Sequence, residues 1–400
     1  MNIHIKQTKF HKVCFKKYYI EKLNKEELTL RTLLCYYQDI ASNKYYNEAL
    51  QTNVLGMHYD ARFTVNLKQV GVYNIIEYSL TSVDPIYIND PNYTIEGLEK
   101  LFNELLIPRF WNKKAVKKLF QIAKEIYKSD LLSRFENLQV LAFENTIKNF
   151  YKDTIRDLDT YGSLELLEQI TTKDLYDYYQ KVMTEQTISI SSGNFEKVND
   201  DSFSITPKLD FQFRFRGNHP QIMYEKFNTE QCYLHVIYDV HTYSNDKYGM
   251  AMRAINYLFG GKTSSYLFNI VREKYGLCYS INSMYLGASG IIVVSTIIDY
   301  CNLSKVIELI DQSLNEIIHL DWDLEEIKKY FRLNNDTQKD NFNSKIENYL
   351  MDNYFSLDDK SFNEINKINN LTKEDIVEAF KLIEKSFIYV FGGENHDWLH

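Results

Sequence analysis

Phe259 to Ser280 reads FGGKTSSYLFNIVREKYGLCYS, and the rest of the chain is organised around it. A glycine pair, Gly260 and Gly261, leads into the hydroxyl residues Thr263, Ser264 and Ser265. Tyr266, Leu267, Ile270 and Val271 then recur at helical spacing, with Arg272 at the charged end of that helix. Gly276 stops it, because a helix C-terminus commonly needs positive φ and glycine takes that conformation without steric cost. A strand-like run follows from Leu277 to Tyr285. Arg272 and Tyr279 therefore lie on the two sides of one turn, seven residues apart. They can point the same way without sharing a helix face.

Working outward, Gln231–Val240 is predicted as a strand and Met250–Leu258 as a helix. Gly290–Ile298 reads as a buried strand, Leu303–Ile318 and Leu324–Asn335 as helices, Lys373–Glu384 as a helix, and Ser386–Phe391 as a last strand. In the first half, residues 2–20 alternate in strand fashion. Lys25–Tyr37 and Tyr45–Leu55 are predicted helices, and His58–Leu67 and Tyr73–Val83 are β-rich. Residues 95–106 and 113–150 read as helices, as does Ile170–Met183, capped by Thr171 or Thr172. Thr187–Ser192 reads as a strand. Between Phe195 and Pro220 polar residues and two prolines replace the helical period.

The halves repeat each other. ITTKDLYDYY (170–179) matches LTKEDIVEAF (371–380), and both lead into a strand and glycine, ISISSGN and IYVFGGEN. LGMHYD (55–60) matches YGLCYS (275–280), which sets Gly56 on Gly276 and Tyr59 on Tyr279. The fold class is therefore α+β, in two homologous domains over residues 1–199 and 200–400, a normal domain size.

Of the 400 residues, 44% are hydrophobic and 25% charged, as in an ordinary globular chain. A net charge of −8 argues against a nucleic-acid partner. The five cysteines, Cys14, Cys35, Cys232, Cys278 and Cys301, are odd in number and widely spaced. That fits free thiols in a reducing compartment. No apolar run is long enough to span a bilayer, and the expected location is cytoplasmic.

The motif stretch resembles the C-terminal half of M16 zinc peptidases, the family of pitrilysin and mitochondrial processing peptidase. That pattern, S-S-x-L-F-x-x-V-R-E-x-x-G-L-x-Y-S, is filled here by Ser264, Ser265, Leu267, Phe268, Val271, Arg272, Glu273, Gly276, Leu277, Tyr279 and Ser280. The resemblance implies two α/β domains, each an antiparallel sheet packed with helices, forming half of a clamshell. It also implies that Arg272 and Tyr279 grip a peptide substrate opposite a zinc ion, beside the glycine-rich turn. A guanidinium and a phenol are strong donors, suited to a carbonyl that gains negative charge.

The family's zinc helix carries H-x-x-E-H, two histidines on one helix face with a glutamate that activates water. The equivalent helix here, LRTLLCYYQD (Leu30–Asp39), sets Thr32, Cys35 and Tyr36 at those positions, and no histidine lies between His11 and His58. Glu125 is the candidate relic of the distal ligand. His235 and His241, six apart, follow no metal-ligand spacing, and no other catalytic constellation stands out. GGKTSS lacks the Walker spacing, although its free N–H groups suit a phosphate, a peptide backbone or close helix–strand packing.

The expectation is thus a non-catalytic subunit of a heterodimeric M16 peptidase. It carries no metal or cofactor of its own; zinc and H-x-x-E-H belong to a partner subunit, and the substrate is a peptide, in a role such as peptide maturation. The alternative is a peptide-binding scaffold or chaperone-like homodimer without proteolytic activity.

Overall fold

The computed structural model describes residues 2–110, 113–158, 161–197, 209, 212–355 and 364–393. The first half runs β1 (Asn2–Lys6), β2 (Lys12–Lys22), α1 (Leu28–Ile40), α2 (Glu48–Met57), β3 (Arg62–Val70) and β4 (Tyr73–Val83). It continues with α3 (Ile95–Leu105), α4 (Lys113–Glu136), α5 (Leu138–Phe150), α6 (Leu164–Gln169), α7 (Thr172–Val182) and β5 (Gln186–Gly193). The second half runs β6 (Ile222–Glu225), β7 (Gln231–Asp239), α8 (Gly249–Phe259), α9 (Tyr266–Phe268), β8 (Cys278–Leu286) and β9 (Ile291–Asp299). It ends with α10 (Leu303–Ile317), α11 (Leu324–Lys339), α12 (Phe342–Tyr354), α13 (Glu364–Asn370), α14 (Lys373–Phe380) and β10 (Glu384–Gly392).

The two five-stranded sheets have the orders β1-β5-β2-β4-β3 and β6-β10-β7-β9-β8, which are one order shifted by five strands. The α+β repeat read from the sequence is therefore a repeat of topology. Each sheet is antiparallel except at one edge, where β1 runs parallel to β5 and β6 to β10. The matched ITTKDLYDYY and LTKEDIVEAF segments are α7 and α14 with their caps. Thr171 and Asp174 form a capping box on the first, and Thr372 and Asp375 on the second. In each box the hydroxyl and the carboxylate satisfy orphan N–H groups of the first turn.

Residues 2–20 form two strands, not one run. Gln7 turns inward at the break, where its side-chain amide donates to Ser192 Oγ at 2.8 Å. The predicted helix 113–150 is two helices, divided at Asn137. Sequence patterning did not mark the short elements α6, β6 and α13, nor the longer α12. The expected domain division at 199/200 lies outside the described residues.

Two compact units result. The first comprises residues 1–137, 158–207 and 342–354; the second comprises 138–157, 208–341 and 355–400. In the first unit, one sheet face packs Val13, Phe15, Ile76 and Leu80 against the apolar stripe of α3 (Leu98, Leu101, Phe102, Leu105) and against α1. Arg31 of α1 is buried in this layer, where its guanidinium meets Glu185 through bonds of 2.6 and 2.8 Å and also reaches Tyr178 Oη and the Tyr19 and Asn74 carbonyls. So many donors satisfied at once offset the desolvation of a buried charge. On the other face, α12 joins the same unit. Phe342 meets Phe10 at 5.5 Å between ring centroids, and Glu347 pairs with Lys68 at 3.0 Å.

The second unit is arranged likewise. Cys232, Leu234, Val236, Val294 and Val390 pack against α8, α10 and α14. The opposite face takes α5, where Phe150 lies against Phe387 and Thr146 against the buried His235. The Thr146 hydroxyl donates to the Ala142 carbonyl at 2.7 Å, so it accepts from His235 Nδ1–H at 2.8 Å. No helix among the described residues is long and apolar enough to cross a membrane.

Burial pushes the His235 imidazole down from 6.5 to about 3. The unfolded chain therefore binds a proton there that the folded chain refuses, and stability falls as pH drops from about 6.5 toward 3. Replacing His235 with Leu is expected to remove up to about 1.4 kcal/mol per pH unit from that acid slope. Urea titrations of both proteins between those pH values measure it, and parallel slopes would refute the assignment.

Candidate functional site

The candidate site is assembled around β8, an edge strand of the second sheet. The helix α8 runs toward this edge and ends in the glycine pair. Gly260 and Gly261 N–H both bond the Asn256 carbonyl, at 3.0 and 2.7 Å, and the Gly260 carbonyl accepts the Ser283 N–H of β8 at 3.0 Å. A Cβ on Gly260 would stand 2.7 Å from Ser283 N and 2.8 Å from Ser283 Cβ. Of the uses open to this turn in the sequence, the geometry displays close helix–strand packing. Ser265 is buried and caps α9 through the Phe268 N–H, while Thr263 and Ser264 are exposed.

After α9 the backbone widens into a π-turn over Asn269–Lys274. Such turns are rare and often occur at functional sites. The turn closes with Tyr275 N–H on the Ile270 carbonyl, Gly276 N–H on Arg272 and Leu277 N–H on Val271, at 3.1, 3.0 and 3.1 Å. The Gly276 bond to Arg272 is that of an αL cap, and Gly276 supplies its left-handed residue at φ +64°. The sequence reading of Gly276 thus has its physical reason.

The register of β8 against β9 shifts between Cys278 and Ile281. Tyr279 and Ser280 occupy this bulge, a device that bends an edge strand and re-aims its side chains. Tyr279 is 87% exposed, so burial does not hold its ring. The Arg272 guanidinium lies over that ring at 5.5 Å and over the Phe268 ring at 4.7 Å. Its ion-pair partner among the described residues is the adjacent Glu273, at 3.6 Å. The structure therefore brings Arg272 and Tyr279 together. Sequence reading did not give Phe268 a part in the pair, although its place four residues before Arg272 on a helix was the available signal.

The predicted match of Gly56 to Gly276 is displaced. Gly56 lies inside α2, and the left-handed turn is made instead by Tyr59 and Asp60, at φ 56° and 52°. Tyr59 precedes β3, whereas Tyr279 lies within β8. Tyr59 packs edge-on to Tyr93 at 4.6 Å.

On α1 the three zinc-equivalent residues are engaged elsewhere. Thr32 Oγ1 donates to the Leu28 carbonyl at 2.9 Å. Burial pushes the Cys35 thiol up to about 12, which disfavours a metal-binding thiolate. Tyr36 stacks on Tyr127 of α4 at 5.0 Å and donates to Asp130 at 2.6 Å. These residues do not fit a zinc ion. Glu125 is exposed and accepts from Gln121 at 3.1 Å, one turn away on the same helix. His235 and His241 are not brought together as ligands: the first faces α5, and the second sits 3.4 Å from Asp239 at the strand end. Among the described residues no three His, Cys, Asp or Glu side chains converge to hold a metal.

Residues 169–332 match the family model of the peptidase M16 inactive domain. The chain is 21% identical to the probable inactive metalloprotease YmfF of Bacillus subtilis (strain 168), over 97% of this chain and 95% of that protein. In fold it is similar to a conserved protein from Enterococcus faecalis V583, with a TM-score of 0.84 and 24% identity over 98% of this chain and 96% of that one. It is also similar to a peptidase M16 inactive domain from Pseudomonas fluorescens, with a TM-score of 0.73 and 14% identity over 98% and 95%. The M16 resemblance read from Phe259–Ser280 stands on these findings.

The two kinds of glycine separate by mutation. A Cβ on Gly276 would meet nothing within 4 Å, so Gly276→Ala pays only for its backbone conformation, about 1 kcal/mol. Gly260→Ala drives a methyl into the β8 backbone and is expected to cost about 1–3 kcal/mol. Urea unfolding of both variants tests the ranking, and an equal cost would overturn the packing role given to Gly260.

Proposed function

We propose that this chain is a non-catalytic M16 subunit that presents Arg272 and Tyr279 to a peptide held at the zinc of an H-x-x-E-H-bearing partner. The observation that carries the proposal is the asymmetry of the two candidate centres. Arg272 and Tyr279 meet at an accessible edge, with the guanidinium resting on the exposed Tyr279 ring and the half-buried Phe268 ring and not locked to a buried carboxylate. Thr32, Cys35 and Tyr36 are committed to contacts that leave no zinc ligand set. The description of a similar protein as a probable inactive metalloprotease supports the same reading.

The mechanism follows from the positions of the donors. Arginine offers a fork of N–H groups and tyrosine an O–H, and both gain strength as negative charge develops on a carbonyl oxygen. Ahead of attack, the outer edge of β8, apart from the Ser283 N–H held by the Gly260 carbonyl, offers main-chain groups to an extended peptide, a mode indifferent to side-chain identity. The chain itself moves no proton and activates no water in this scheme. Its work is to orient the peptide and stabilise charge while zinc chemistry proceeds on the partner. The location would be cytoplasmic and the setting peptide maturation.

Arg272→Ala is expected to leave the fold and the partner contact intact, because the residue ends a helix at a surface turn. Turnover by the two-chain complex should fall by about a hundredfold or more, as when an oxyanion donor is lost. Affinity capture of this chain from its own cells supplies the complex for that assay. Recovery of a similar-sized H-x-x-E-H chain, with turnover that collapses in the variant, meets the expectation. Unchanged turnover refutes the role of Arg272, and recovery of the chain alone or with only a small peptide favours the scaffold reading.

A further inference from the structure

The first unit contains a cleft of about 260 Å³ between α3 and the helix-facing side of β1, β2 and β5. It shares no residue with the Arg272–Tyr279 turn or with the zinc-equivalent positions. Its floor departs from the rest of that sheet face. The face elsewhere carries Val13, Ile76, Leu80 and Phe63, but β5 reads Thr-Ile-Ser-Ile-Ser-Ser and turns hydroxyls to it. Ser189 lies opposite Lys17 and Ser191 opposite Phe15. The isoleucines of β5 are buried on the other face. A sheet face that is apolar over four residues of its neighbours and polar here marks a surface that α3 does not seal.

Lys17 is the unbalanced charge of this cleft. Among the described residues it has no carboxylate within ion-pair distance, and its Nζ sits 5.2 Å from the Tyr19 ring. Burial lowers its pKa, as expected for an ammonium without a counter-charge. The other charges are already engaged. Glu99 and Lys197 pair at 2.6 Å, and the His4 ring lies 2.7 Å from the Phe195 carbonyl and 3.1 Å from Ser191 Oγ. The Ser189 hydroxyl and the Asn103 amide line the same space with no side-chain hydrogen bond among the described residues. Leu106 supplies the accessible apolar wall, with the edges of the buried Phe15 and Phe102 rings behind it.

We propose that this cleft binds a small monocarboxylate with an apolar body. The carboxylate meets Lys17, Ser189 and Asn103, and the body lies against Phe15, Phe102 and Leu106. One uncompensated cation matches one negative charge, and Glu99 at the same cleft disfavours a dianion such as phosphate. The volume equals the share of roughly nine water molecules, enough for a ring or short branched chain bearing one carboxylate. Burying an apolar body while neutralising a half-buried ammonium gives both terms a favourable sign.

Calorimetric titration of the intact chain with benzoate, benzyl alcohol and inorganic phosphate tests this. Benzoate should bind one to one, at least about tenfold tighter than either other probe, as a charge-assisted hydrogen bond requires. Lys17→Met should erase that advantage and leave benzyl alcohol unchanged. Asn103→Asp, on the exposed side of α3, should weaken benzoate through like-charge repulsion; it decides the matter if the Lys17 variant fails to fold. The proposal is overturned if benzoate shows no saturable binding, if it binds no better than benzyl alcohol, or if both variants retain its full affinity.

Discussion

A five-stranded sheet has two faces to remove from water, and here the helices of one half of the sequence cover only one of them. The second face of each sheet is covered by a helix from the other half, α12 in the first unit and α5 in the second. The remaining features of the fold follow from this constraint. It allows His235 to be buried neutral against Thr146, and it places the Lys68–Glu347 pair at the margin of the first sheet. It also frees the β8 edge to carry a turn and a bulge, since the stability of the second sheet rests on its faces and on the central strands β7 and β9. Burial of each large apolar side chain in those faces contributes about 1.5–3 kcal/mol before chain entropy is subtracted.

The pattern that locates a helix or a strand is local, and those parts were legible. Thr171 with Asp174, and Thr372 with Asp375, announced two helix starts because a capping box needs only residues three apart. Gly276 announced a helix end because left-handed φ is costly for residues with a Cβ. The exchange of α5 and α12 was not legible. The residues of 138–150 specify an amphipathic helix but not the sheet on which its apolar side rests, so one long helix was read where two stand. The four residues of β6 carry too short a pattern to be told from a loop, and the break at Gln7 depends on Ser192, far along the chain.

The Arg272–Tyr279 pair was legible as two residues of a motif, but its geometry was not. The π-turn, the left-handed cap at Gly276 and the bulge each turn the chain locally, and together they bring a helix residue and a strand residue to one spot. The loose first-half match failed for the same reason: there Tyr59 itself takes the left-handed position, ahead of the strand. The zinc-equivalent helix shows the reverse case. Its lack of ligands was plain from residue types alone, and the structure adds what fills the space, a stacked pair of tyrosines and a protonated thiol.

The exchanged helices also bear on the order in which the chain acquires its structure as it leaves the ribosome. Lys345 of α12 donates to the Lys6 carbonyl across 339 residues of sequence. The first sheet can pair its strands once β5 has emerged, but it keeps one face uncovered until synthesis has passed residue 354. Contacts so distant in sequence close slowly, so the nascent first unit passes through a long interval with exposed apolar surface. The polar and charged groups on that face, Lys16, Glu77 and Lys68 among them, lessen the hazard of that interval by making the waiting surface a poor site for aggregation.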